Sequence, residues 1–161
     1  MKKTIPTTII ILVIVAFAVM TQIKVPLCYE EPSPPELPTF VIYDKEIINQ
    51  VRSELERDPF YFLRVRGKSM KPSIEEGQKC VCIRQYSYDE GDIVVFYVEK
   101  EKDKVELVSH RIKLITADGK IITQGDNNPF PDPWRITEEQ ILCKIPETSI
   151  LEKFRFIILK T

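Results

Sequence analysis

Tyr61-Phe62-Leu63-Arg64-Val65-Arg66-Gly67-Lys68-Ser69-Met70-Lys71-Pro72-Ser73-Ile74 is the stretch on which the reading of this chain turns. It opens on a short apolar run, Tyr61 to Val65. Further runs follow at Cys80 to Ile83, Ile93 to Val98, Val105 to Val108, Lys113 to Ile115 and Lys120 to Thr123, separated by Gly, Asp and Pro. Short apolar segments between such breakers are strand signals, so this region predicts a mainly β domain. All five glycines, Gly67, Gly77, Gly91, Gly119 and Gly125, fall within it, as turns with unusual backbone angles require. Ser69 stands just past the end of the first strand, and Pro72 halts regular pairing behind it. That position can expose a hydroxyl, although by itself it is also what a plain strand-to-turn serine looks like.

Working outward toward the amino terminus, a short helix is predicted from Asp44. Asp44 can cap it, Ile47, Ile48, Val51 and Leu55 make an apolar stripe, and Asp58-Pro59 ends it. The stripe is expected to pack on the domain or on a membrane surface. Before it, residues 30–39, EEPSPPELPT, carry four prolines, each fixing its own φ and biasing its predecessor to extended backbone, so residues 28–43 read as a stiff linker. Residues 1–27 begin with Lys2 and Lys3 and hold an apolar run from Ile9 to Met20, which extends to about 19 residues from Ile5 to Ile23, roughly one bilayer. The same segment, with Ala16 and Ala18, also satisfies a cleavable signal peptide, and composition alone does not separate the two. In either case the lysines before the run and Glu30, Glu31 and Glu36 after it predict a cytoplasmic amino terminus and an extracytoplasmic body, residues 44–161, at a cell membrane. In the carboxyl-terminal tail, residues 149–161 are too short and interrupted to span a bilayer and read as a final strand.

Net charge is -1 over 161 residues, and no basic cluster exceeds a dipeptide, so no nucleic-acid partner is predicted. Four cysteines, Cys28, Cys80, Cys82 and Cys143, lack zinc spacing, and the single histidine cannot complete a mixed ligand set, so no metal and no cofactor are expected. Cys80 and Cys82 alternate along a strand and face one side, where they read as small buried hydrophobes; a disulfide to Cys143 is the alternative.

Gly67-Lys68-Ser69-Met70-Lys71-Pro72 resembles the Gly-x-Ser-Met-x-Pro box of type I signal peptidases and of the related self-cleaving repressors. Three further blocks resemble the same family in its order: Gly91-Asp92-Ile93-Val94-Val95-Phe96, Ser109-His110-Arg111-Ile112, and Gly125-Asp126-Asn127-Asn128 with Asp132 after it. Four ordered blocks are far more specific than one. The resemblance implies a signal-peptidase/LexA-like β-rich catalytic domain behind an amino-terminal transmembrane helix. It implies Ser69 as acylating nucleophile and His110 as general base, the histidine-type pattern of archaeal and endoplasmic-reticulum members, where many bacterial members carry lysine. Lys68 and Lys71 do not match the family's base position. The substrates implied are secretory preproteins, cut after a short extended segment with small residues one and three positions before the bond. Some members add a serine hydroxyl two residues before the nucleophile; Gly67 stands there, so a second oxyanion donor must be backbone, another side chain or absent. An inactive peptide-binding or assembly relative, and a dedicated maturation or self-cleaving peptidase, are the alternatives.

Local geometry bears on the third member of the site. Residues 111–124 read as a hairpin around Asp118-Gly119. A two-residue loop sets His110 across from Asn127, whereas a three-residue loop sets it across from Asp126, near enough to orient the imidazole. The resemblance makes both Asp126 and Asp132 plausible partners. Asp132 is placed first for the orienting role, with Asp126 fixing the loop or sharing the load.

Overall fold

The computed structural model describes residues 18–22, 24–29 and 41–149. The chain divides into two compact units. One, Pro26–Pro146, holds the large sheet; the other comprises Met1–Val25 and Glu147–Thr161. In the second unit residues 18–22 are helical; a two-stranded sheet pairs β1, Lys24–Pro26, whose last residue already belongs to the first unit, with the strand Glu147–Ser149. Most of the expected membrane segment, the proline-rich residues 30–40 and the predicted strand beyond Ser149 lie outside the described residues. Among the described residues no helix is long and apolar enough to cross a membrane.

The larger unit is a curled antiparallel sheet. Its elements in chain order are β2 (Cys28–Tyr29), β3 (Ile42–Asp44), α1 (Glu46–Arg57), β4 (Phe60–Arg64), β5 (Lys79–Ile83), β6 (Ile93–Glu101), β7 (Lys104–Ile115), β8 (Ile121–Gln124) and β9 (Ile141–Ile145), with a 3-10 turn, Glu138–Gln140, before the last. Pairing runs β4 to β5, β5 to β9, β9 to β6 and β6 to β7; β2 also joins β5, and β3 and β8 join β7. The mainly β expectation therefore holds, with Val105 to Val108 and Lys113 to Ile115 merged into one strand and β9 added.

The strands alternate between two buried clusters, as a period of two requires. Ile93 and Val95 of β6 face a core that includes Val65, Met70, Ile74, Leu142 and Ile145, closed by Ile48, Val51 and Leu55 of α1. The intervening Val94 and Phe96 face a second cluster with Val108, Ile112, Ile121, Ile136 and Ile141. The apolar stripe of α1 thus packs on the domain itself.

Three expectations change. Asp44 does not cap α1: it belongs to β3 and receives the Lys104 ammonium at 2.7 Å, while Lys45 occupies the cap with no side-chain bond to the helix end. Pairing of Ile42–Asp44 with β7 draws that segment into the sheet before the helix can begin. The expected linker is shortened at both ends, because Cys28–Tyr29 and Ile42–Asp44 are sheet strands. The cysteines are not free hydrophobes. Cys28 pairs with Cys80 and Cys82 with Cys143, so the two same-face thiols of β5 staple it to β2 and β9.

Candidate active site

Ser69 is presented by a turn pinned to the core on both sides. Val65 N–H donates to the Gln78 carbonyl at 2.9 Å, extending the β4 to β5 pairing to the edge of the turn, and Gly67 takes φ 76°, which only glycine adopts without strain. Past the serine, Ile74 N–H donates to the Met70 carbonyl at 2.9 Å, and the Met70 and Ile74 side chains are 1% and 0% exposed. With its neighbour plugged into the core, Ser69 is left facing the opposite way, toward β7.

His110 lies in the middle of β7, across from Val94 of β6, and is 7% exposed, its ring edge-on to Phe96. Its Nε2 is 3.0 Å from Ser69 Oγ and its Nδ1 is 2.6 Å from Asp132 Oδ2. A carboxylate only accepts, so Nδ1 carries the hydrogen and Nε2 offers its lone pair to the serine hydroxyl. The result is a continuous chain, Ser69 to His110 to Asp132. Asp132 is 6% exposed; its N–H donates to the Thr123 carbonyl at 2.8 Å and its Oδ2 also accepts the Thr123 hydroxyl at 2.6 Å.

Asp126 does not contact the imidazole. The hairpin does have the three-residue loop, since Thr116 N–H donates to the Lys120 carbonyl at 2.8 Å. Continued without a break, that register would set His110 opposite Asp126. Between Ile112 and Leu114, however, the register slips by one: Leu114 faces Ile122 while Ile112 faces Thr123. Lys113 is the extra residue of a β-bulge, and a one-residue slip exchanges the faces of everything beyond it. The slipped register carried on from Arg111 and Gln124 brings Gly125 opposite His110. Asp126 is turned instead to Arg111, whose Nε and Nη2 donate to its two oxygens at 2.9 and 2.8 Å, and to Ser73, whose hydroxyl donates at 2.5 Å. Burial pushes the Asp126 carboxyl up, but the hydrogen bonds from Arg111 and Ser73 and the Arg111 charge outweigh it and hold the group below the usual carboxylate range. Asp126 therefore ties the turn after Ser69 to β7, the loop-fixing role among the two considered for it.

The tie is reinforced around Gly125. Asn127 N–H donates to the Ser69 carbonyl at 2.7 Å, and a Cβ on Gly125 would lie 2.6 Å from that carbonyl oxygen and 3.0 Å from His110 Nε2. Arg111 and Ser73 sit inside or beside the sequence blocks yet had no assigned role, and nothing in the local pattern singles out Thr123; their partners are distant in sequence.

Beside the chain of hydrogen bonds runs a cleft of about 920 Å³, lined along one wall by Leu63 to Ser69 and along the other by Glu106 to His110. β4 pairs with β5 along one wall, and among the described residues β7 has no strand partner for residues 107–110 on its outer edge, between the segments taken by β3 and β8. Among the described residues, one strand edge thus faces the cleft with its backbone open to pairing, that of residues 107–110. Among the described residues no group of His, Cys, Asp and Glu could hold a metal ion.

A family model described as peptidase S24-like matches residues 36–145, which include every residue of this site. The chain belongs to the peptidase S24-like family. At that level the domain is of serine-peptidase type, a fold that serves cleavage of other chains or of its own. Comparison with curated proteins and with solved structures finds no match.

Proposed function

We propose that this S24-like domain is the catalytic body of a membrane-anchored signal peptidase, which removes amino-terminal signal peptides from secretory preproteins through Ser69, His110 and Asp132. The observation that carries the reading is the unbroken hydrogen-bond chain from Ser69 to Asp132 at the side of a cleft walled by residues 63–69 and 106–110. An extended peptide entering the cleft pairs with the edge at residues 107–110, and its scissile carbonyl comes to Ser69. His110 Nε2 takes the serine proton as Oγ attacks, and Asp132 steadies the imidazolium. Among the described residues the Ser69 N–H has no acceptor, which leaves it for the oxyanion. His110 then protonates the leaving amine, and a water repeats the cycle on the acyl-enzyme.

The apolar run from Ile9 to Met20 supplies the tether, confining enzyme and preprotein to one surface and raising their effective concentration. The two disulfides suit an extracytoplasmic body in an oxidising compartment. The test is processing of a preprotein with small residues before its cleavage site, in membranes carrying wild-type chain, Ser69→Ala or His110→Ala. Loss of processing in both variants is expected; undiminished cleavage overturns the assignment. A shortened form of the purified chain that vanishes in Ser69→Ala would instead mark self-cleavage.

A further inference from the structure

We infer that Thr123 is a positioning residue of this site, its buried hydroxyl fixing the Asp132 carboxylate against His110. The inference rests on the reading of Ser69, His110 and Asp132 as the catalytic chain and adds a fourth residue to it.

Asp132 has no regular element to hold it: it lies between Pro131 and Pro133 in the connection from β8 to β9. What holds it is Thr123, by two bonds of different kinds. The Thr123 carbonyl accepts the Asp132 N–H at 2.8 Å, which closes the intervening loop, and the Thr123 hydroxyl donates to Oδ2 at 2.6 Å. His110 Nδ1 meets the same Oδ2 at 2.6 Å. A carboxylate held by one donor can still rotate about its terminal torsion; a second donor on the same oxygen sets both the plane and the lone pair left for the imidazole. Thr123 is 0% exposed and Asp132 6%, so bulk water is poorly placed to replace the hydroxyl.

The bulge at Lys113 explains why a threonine of β8 can do this. In the register set by the hairpin loop, Thr123 would oppose Lys113 and point to the sheet face away from His110. After the slip it opposes Ile112, two residues from His110, and so shares the face of the imidazole. The one-residue insertion that takes Asp126 away from His110 is what brings Thr123 into line with it.

Thr123→Val keeps shape and the backbone bond but removes the donor; Thr123→Ser keeps the donor. Both are made in the full-length chain in detergent, with Thr123→Ala as a second donor-less variant should the valine protein not fold by circular dichroism. On a fluorogenic peptide with small residues before the scissile bond, the donor-less variant should lose about tenfold in kcat with KM unchanged, and Thr123→Ser should recover it. The imidazole Nδ1–H proton resonance, followed in a Ser69→Ala background where turnover plays no part, should move in the donor-less variant and return in Thr123→Ser. Wild-type kcat with an unmoved resonance, or a loss seen in KM instead, overturns the inference. Turnover that survives Ser69→Ala alone overturns the underlying catalytic reading instead, and the resonance still reports whether Thr123 orients Asp132.

Discussion

Gly125→Ala places a single methyl group where the Ser69 turn, His110 and the following loop converge. The alanine Cβ would stand 2.6 Å from the Ser69 carbonyl oxygen, 2.9 Å from Asn128 Nδ2 and 3.0 Å from His110 Nε2. The first contact decides the outcome, because that oxygen is backbone and already accepts the Asn127 N–H at 2.7 Å, so it cannot swing aside as a side chain would. Gly125 is not among the positive-φ glycines, which means its requirement is room and not backbone conformation. Relief of the overlap needs the Ser69 turn and the Gly125 segment after β8 to part by several tenths of an ångström, a strain of about 1–3 kcal/mol for an overpacked position. The Ser69 Oγ to His110 Nε2 separation is 3.0 Å, and a misplacement of about 1 Å near a reacting group costs on the order of 10² in rate. Gly125→Ala should therefore lower turnover by one to two orders of magnitude, read on the fluorogenic peptide and by the rate at which a serine-reactive probe labels Ser69, with a moderate fall in melting temperature. Gly119→Ala is the control: at φ 77° with nothing within 4 Å of the added Cβ, it strains the hairpin turn and should lower the melting temperature while leaving labelling unchanged. Full labelling of Gly125→Ala would refute the geometry given for the site.

Three other outcomes are expected. Asp132→Asn should lower kcat by as much as about 10⁴, the scale on which a misplaced tautomer acts, whereas Asp126→Asn, which leaves the bond to His110 in place, should lower it far less; equal losses would return Asp126 to the orienting role. Because Asp126 is held below its ordinary value of 3.8, its contribution to stability is present above that pH and is lost as the pH falls through the depressed folded value, so urea midpoints of wild type and Asp126→Asn should differ near pH 7 and converge in strong acid. Reduction of the disulfides, which join residues 52 and 61 positions apart, should cost on the order of 4 kcal/mol each in the chain-entropy account, measured as a drop in melting temperature with dithiothreitol; an unchanged melt would mean that the pairs contribute little.

Much of this site is legible along the chain because it is local. Ser69 stands out by following a strand and preceding Pro72; His110 by being the sole histidine inside an ordered block; the hairpin around Asp118-Gly119 by its turn chemistry. These signals depend on neighbours a few residues away, and the strand alternation of Ile93 to Val98 depends only on burial of both faces. The position of a bulge is different. Nothing between Arg111 and Leu114 marks Lys113 as the extra residue, since where a ladder slips depends on what both sheet faces must bury: here Ile112 and Ile115 both reach the second cluster. That slip settles which aspartate meets His110 and which threonine supports it.

The cysteines divide the same way. Alternation puts Cys80 and Cys82 on one face of β5 from sequence alone, but pairing with Cys28 and Cys143 needs β2 and β9 beside that face, contacts made across more than fifty residues. Asp44 reads as a cap until β7 takes it into the sheet. By itself the sequence determined β4 to β8, the serine turn and the position of the sole histidine, through patterns that each short segment carries alone. Only the tertiary structure decided the third and fourth members of the hydrogen-bond chain, because register and strand adjacency follow from the joint burial of two sheet faces, which no single segment encodes.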